Sequence, residues 1–185
     1  MIRILAFLVV SVLIAGCRTA PVVPDTPEAG PYAGIPSVEA TGPVAEAQPI
    51  FPTGDPELDA FLADLAAAID RHDWRGVAQR MEPVGFTEQR AFLAANGSAE
   101  APAAQLIAET LGIGDLYHAS PGWDGLDQIR VVTFREYAVQ TPGIAGGEAI
   151  ELISGTVRLE NGRTLPLSLS IISRGGVRVV QVPLG

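Results

Sequence analysis

The sequence predicts an α+β domain, with helices first and an antiparallel sheet after them. Three observations carry this. Apolar residues recur at helical spacing from Leu58 to Leu111. From Ile129 onward the period changes to two. The alternating runs are separated by Asn161-Gly162 and Gly175-Gly176, which read as tight turns of a meander.

The helical half opens at Asp55-Pro56, an N-cap candidate followed by proline at the first helical position. Leu58, Phe61, Leu62, Leu65 and Ile69 then form one apolar stripe, with Asp59, Asp64 and Asp70 outside it. His72-Asp73-Trp74 reads as a break, with Asp73 capping a second short helix that turns Trp74, Val77 and Met81 inward and ends at Glu82-Pro83. A third helix is expected from Thr87, with Phe92 and Leu93 inward and Asn96-Gly97 as its C-terminal signal. A fourth, capped by Ser98, carries Leu106, Ile107 and Leu111 and stops at Gly112. Asp115 to Ala119 reads as a loop or an extra strand, and Pro121 to Gly125 as a loop.

Four strands follow, Ile129–Val139, Ala149–Leu159, Arg163–Ser173 and Val177–Leu184. Their register follows from matching apolar faces across the turns. A three-residue loop, Glu160-Asn161-Gly162 with Gly162 left-handed, pairs Val157 with Leu165 and Ile153 with Leu169. A two-residue Gly175-Gly176 turn pairs Ile171 with Val180 and Leu169 with Val182. One face then gathers Ile153, Val157, Leu159, Leu165, Leu167, Leu169, Ile171, Val180, Val182 and Leu184, and is expected to pack on the helices. Pro166 points away from it, which suits an edge. The other face carries Ser154, Thr156, Arg158, Ser168, Ser170 and Gln181, but also Ile150, Leu152, Ile172, Val177 and Val179. That second set is expected to be an interaction patch for a homodimer or an envelope protein partner, unless strand one or the Thr141–Gly147 loop covers it within the monomer.

The amphipathic helix, the His72-Asp73-Trp74 break and the short second helix, between Phe61 and Met81, resemble the opening of the NTF2-like superfamily. The sheet that follows suits the resemblance. That family usually places a helix between early strands, whereas here the helices precede all four, so a cystatin-like sheet is the alternative. The NTF2-like resemblance implies either a small-molecule enzyme, of isomerase or hydrolase type, or a binding module without catalysis.

The chain's first residues point to its location. Arg3 is followed by a run, Ile4 to Ala15, that is apolar apart from Ser11 and too short for a spanning helix of roughly 20 residues. Ile14-Ala15-Gly16-Cys17 resembles the lipobox of bacterial lipoproteins. The resemblance implies a signal peptide over residues 1–16, cleavage before Cys17, and diacylglycerol on its thiol. The protein is then held at the cell envelope by its lipid, and Arg18 after the cysteine favours the outer membrane, facing the periplasm. Cys17 is the only cysteine, so no disulfide can form within one chain, and acylation removes a reactive thiol.

Residues 17–54 complete the anchor with a Pro/Ala-rich tether, read as disordered and dispensable for folding of the domain at 55–185. About 34 tether residues at 3.1 Å each reach roughly 100 Å when fully extended. The formal charge is −9 with arginine as the only strong base, which argues against nucleic acid as a partner.

Catalytic signals are sparse. The two histidines lie 46 positions apart, and no metal set, cofactor motif or nucleophile elbow is present; no cofactor is expected. The strongest candidate for acid–base work is His118, oriented by Asp115 or Asp124. His72-Asp73 reads as a helix end and cap, and Trp74 and Trp123 as core or rim anchors. Glu136 and Tyr137 point to opposite faces of their strand. Two functions follow: an envelope binding module, or an enzyme using His118 or one pocket acid. A buried acid or histidine in a pocket between sheet and helices would separate them.

Overall fold

The computed structural model describes residues 30–38, 52–97, 101–140 and 149–183. Among these residues, six helices, α1 (Pro56–Asp70), α2 (Trp74–Ala78), α3 (Pro83–Ala95), α4 (Pro102–Thr110), α5 (Gly114–Ala119) and α6 (Trp123–Leu126), precede four strands, β1 (Ile129–Gln140), β2 (Ile150–Leu159), β3 (Thr164–Arg174) and β4 (Val177–Val180). The sheet is an antiparallel meander in the order β1-β2-β3-β4. This is the predicted α+β arrangement.

The caps explain the first two helices. Asp55 accepts the N–H groups of Glu57 and Leu58, and Pro56 occupies the first turn, where its missing N–H costs nothing. Asp73 caps α2 through the Gly76 N–H. Two expectations for α3 fail. The helix begins at Pro83, one turn before Thr87, because the proline that ends one helix is well placed to open the next. The inward stripe is then Phe86, Arg90 and Leu93, and Phe92 is turned out to 61% exposure. Asn96-Gly97 ends α3 as expected, while the proposed cap Ser98 lies outside the described residues. Asp115–Ala119 is helical, within α5, and supplies buried Leu116 and Tyr117; the Pro121–Gly125 stretch also contributes to a helical turn, α6.

The predicted register holds at three named pairs, and the fourth, Leu169 with Val182, lies beyond the end of β4. Val157 pairs with Leu165, Ile153 with Leu169 and Ile171 with Val180. Gly175 and Gly176 both have positive φ, 59° and 82°, the conformation a two-residue hairpin turn of matching twist demands. Gly155 is required for a different reason: a Cβ there would lie 2.3 Å from the Thr133 carbonyl oxygen, beside the β1 bulge between Phe134 and Glu136. Strand β4 stops at Val180, short of the predicted Leu184, which lies outside the described residues. Val180 donates its N–H to Arg80 O and accepts from Glu82 N, each at 2.8 Å, so the α2–α3 link completes that edge. Pro166 sits on the part of β3 that β4 does not reach.

The inner face is a continuous apolar layer. Ile153, Val157, Leu159, Leu167, Leu169, Ile171, Val180 and Val182 meet Leu58, Leu62, Leu65 and Ile69 of α1, with Trp74, Phe86, Leu106 and Ile107 in the same cluster. No helix among the described residues is long and apolar enough to cross a membrane.

The tether expectation requires a correction at residues 30–38, while residues 17–29 and 39–51 lie outside the described residues. Gly30–Val38 packs on the domain as a strap. Ile35 is 5% exposed inside the core cluster, and Tyr32 lies against Phe86 with ring centroids 5.9 Å apart. Arg90 donates to the carbonyls of Pro31 (2.6 Å) and Ala33 (2.8 Å), and the Arg75 N–H donates to Pro36 O (2.9 Å). Burying Ile35 contributes about 2 kcal/mol and part of Tyr32 about 1 kcal/mol. The three hydrogen bonds add about 1 kcal/mol each, somewhat more where the donor is charged. Ordering the strap backbone costs on the order of 1 kcal/mol per residue, roughly 9 in all. Gain and cost agree to within a few kcal/mol.

Candidate functional site

The richest cluster of polar side chains lies where α1 ends, α2 begins and β1 leaves the helical half. Arg71 closes α1, and His72 follows at φ 56°, the one non-glycine residue with positive φ among those described. Such a conformation persists only where surrounding contacts hold it. Here the imidazole stacks on Trp74 at 5.8 Å and 10°, and its Nε2 lies 2.7 Å from Ile129 O. Because a carbonyl only accepts, Nε2 carries the hydrogen and donates. The same nitrogen is 3.3 Å from Arg130 Nη1 and cannot also accept from it, so that contact is a close approach of two donors. Arg130 is held instead by its ion pair with Glu160 and by the carbonyl of Asp127.

Trp74 is fully buried, and its indole N–H donates to Asp127 Oδ1 at 2.7 Å. Asp70 is half-buried and accepts the Val132 N–H at 3.2 Å. Burial pushes its carboxyl pKa up, against the opposing pull of that hydrogen bond and of the nearby His72 and Arg71. Outside this cluster opens a shallow cleft of about 580 Å³, lined by Pro36, Val38, His72, Asp124, Asp127, Gln128, Arg130 and Glu160. The side chains in it pair chiefly with one another and with the backbone. Among the described residues of the cleft, no serine, threonine or cysteine stands beside the imidazole.

A second cluster closes the other end of the inner face. Arg178 reaches Asp55 (2.5 Å), Glu57 (3.2 Å) and Glu151 (3.2 Å). The Glu151 hydrogen bond, then the Glu151 and Asp55 charges, push the guanidinium pKa up against partial desolvation. Tyr137, in the same neighbourhood, is pushed up by burial and then by the Glu151 and Asp55 charges. This cluster ties β4 and β2 to the start of α1.

The residues singled out by the sequence are dispersed. His118 is exposed on α5 and meets the edge of Tyr117; no hydrogen bond joins it to Asp115 or Asp124, so the expected pair does not form. Asp124 instead sits on the rim of the His72 cleft. Trp74 is a core anchor and Trp123 a partly buried one. Glu136 and Tyr137 do face opposite sides: Glu136 accepts from Ser154 Oγ, while Tyr137 packs on the core. Within the expected patch, Ile172 and Val179 pair as predicted but are only 3% and 7% exposed. Ile150 is half-buried, and Leu152 and Val177 are 37% and 62% exposed. Cys17 and the Thr141–Gly147 loop lie outside the described residues.

Sequence reasoning missed Arg130, Asp127, Glu160 and Arg178 as members of clusters. Their partners are up to 123 positions away, and no local spacing announces such pairings. The strap was missed because one tyrosine and one isoleucine among prolines make no periodic pattern. No protein family, no curated protein and no solved structure matches the chain.

Proposed function

We propose that this chain is a lipid-anchored module of the bacterial cell envelope, acylated at Cys17, that binds a partner and performs no catalysis. The observation that carries the reading is Ile14-Ala15-Gly16-Cys17 after a short apolar run. The space between sheet and helices supports a binding role, since apolar side chains fill it and the acids and His72 stand at its rim. The partner, an envelope protein or a second copy, meets the domain through its surface, and the lipid keeps the domain at the outer membrane. Two or three acyl chains suffice for stable attachment where one does not.

The test is mass spectrometry of the N-terminal peptide from the membrane fraction of a bacterial host. A diacylated cysteine as the first residue, lost in Cys17→Ser together with signal cleavage, is expected. An unmodified thiol, or equal lipid incorporation in Cys17→Ser, would show that the anchor is misassigned.

A further inference from the structure

We infer that the strap, Gly30–Val38, is a latch that sets how far the domain stands from the point at which Cys17 is held. The physiological meaning rests on the lipid anchor proposed above; the mechanics rest on the strap alone.

The strap lies inside the segment that joins Cys17 to α1 and divides it into two lengths. When it is docked, the 12 residues between Cys17 and Gly30 allow at most about 45 Å between those two points. When it is released, the 35 residues between Cys17 and Thr53 allow at most about 125 Å between those two points. Release also frees the domain to turn, because the leash then leaves from the start of α1 instead of from the flank of α2 and α3.

The contacts are of a kind that can exchange. One aliphatic side chain, Ile35, is inserted, and Tyr32 leans on Phe86 from a half-buried position. The remaining recognition is of backbone carbonyls: Pro31 and Ala33 by the Arg90 guanidinium, and Pro36 by the Arg75 N–H. The docked strap is favoured by at most a few kcal/mol, so a modest competing interaction shifts the population. Pro36 and Val38 also border the His72–Arg130 cleft, so release would alter that cleft's wall.

The experiment couples the chain from Cys17 onward, through that thiol, to a maleimide lipid in a supported bilayer, so it does not depend on natural acylation. Neutron reflectometry reads the height of the domain, and amide exchange at Arg75 reads strap occupancy. Wild type should show a protected Arg75 amide and a low domain. Ile35→Asp and, separately, Arg90→Ala should speed Arg75 exchange at least tenfold and raise the domain, with amides of β2 and β3 unchanged. An unprotected Arg75 amide in wild type would overturn the latch. So would equal heights in wild type and a variant whose Arg75 exchange has risen. If the latch behaves as expected while the N-terminal peptide from cells carries no lipid, the anchor has failed and the latch has not.

Discussion

Helix α1 has an aspartate at each end, and the fold treats the two in opposite ways. Asp55, before the first turn, accepts two free backbone N–H groups and meets Arg178 at 2.5 Å. The Leu58 N–H, then the Glu57 N–H and the Arg178 charge, hold its carboxyl below the usual range despite some desolvation. Asp70, the last residue, lies under β1 with one N–H to accept, and burial pushes its carboxyl up. The helix dipole acts in the same sense, favouring negative charge at the N-terminus and opposing it at the C-terminus. One residue type on one helix thus acts as a charged cap at one end and a reluctant anion at the other. What differs is the number of donors each carboxylate meets and how much water it keeps.

The strongest way to break this contrast is to open the Asp70 end. Trp74→Ala removes the fully buried indole beneath His72 and leaves Asp127 without its 2.7 Å partner. A loss of about 3–5 kcal/mol in urea unfolding is expected. In the folded fraction, Asp70 should titrate nearer the ordinary aspartate range while Asp55 stays depressed, as followed by carboxyl-carbon NMR. An unmoved Asp70 would mean that its burial comes from β1 alone.

How much of this was legible in the sequence depends on the range of the interaction. The Asp55 and Asp73 caps, the Gly175-Gly176 turn and the alternation of β2 and β3 are local, and each appeared where the residues indicated. Proline was read as a stop at Glu82-Pro83, and its equal aptitude for a first helical turn moved α3 by one turn and exposed Phe92. The candidate site was barely legible. Asp70 and His72 meet β1 across about 60 positions, and Arg178 meets Asp55 across 123. Only the fold brings them together. The pairing of His118 with Asp115 did not form although a spacing of three puts both on one exposed helix face, and Asp124 belongs to α6, at the rim of the His72 cleft.

A second test acts on the Asp55 end. Arg178→Met keeps the stem's packing but removes the cation shared by Asp55, Glu57 and Glu151. Three carboxylates then face one another, and a loss of about 2 kcal/mol is expected at pH 7, less than for a wholly buried charge because Glu57 is solvated. The sign of the pH dependence follows from Asp55. Its folded pKa is lowered, so the stability it contributes is present above its unfolded pKa and is lost as pH falls through the folded value. Wild type and Arg178→Met should therefore converge as the solution is acidified. A constant difference between pH 7 and pH 3 would show that the loss is one of packing rather than charge.

The smallest effect, with the opposite sign, is expected at Asp70. Asparagine at this position keeps an oxygen to accept the Val132 N–H at 3.2 Å and removes the charge that burial disfavours. Because the folded pKa of Asp70 is raised, its favourable contribution is full below the unfolded pKa, where the carboxyl is protonated in both states. It is lost as pH rises through the folded value. The penalty in wild type is therefore absent in acid and complete at neutral pH. Asp70→Asn should match wild type in acid and exceed it by on the order of 0.5 kcal/mol at pH 7, as read from urea midpoints at both pH values. The new amide N–H groups can reach water, since the side chain is only half-buried. If Asp70→Asn is instead less stable at pH 7, the attraction of His72 and Arg71 for the carboxylate outweighs its desolvation, and the two ends of α1 are alike after all.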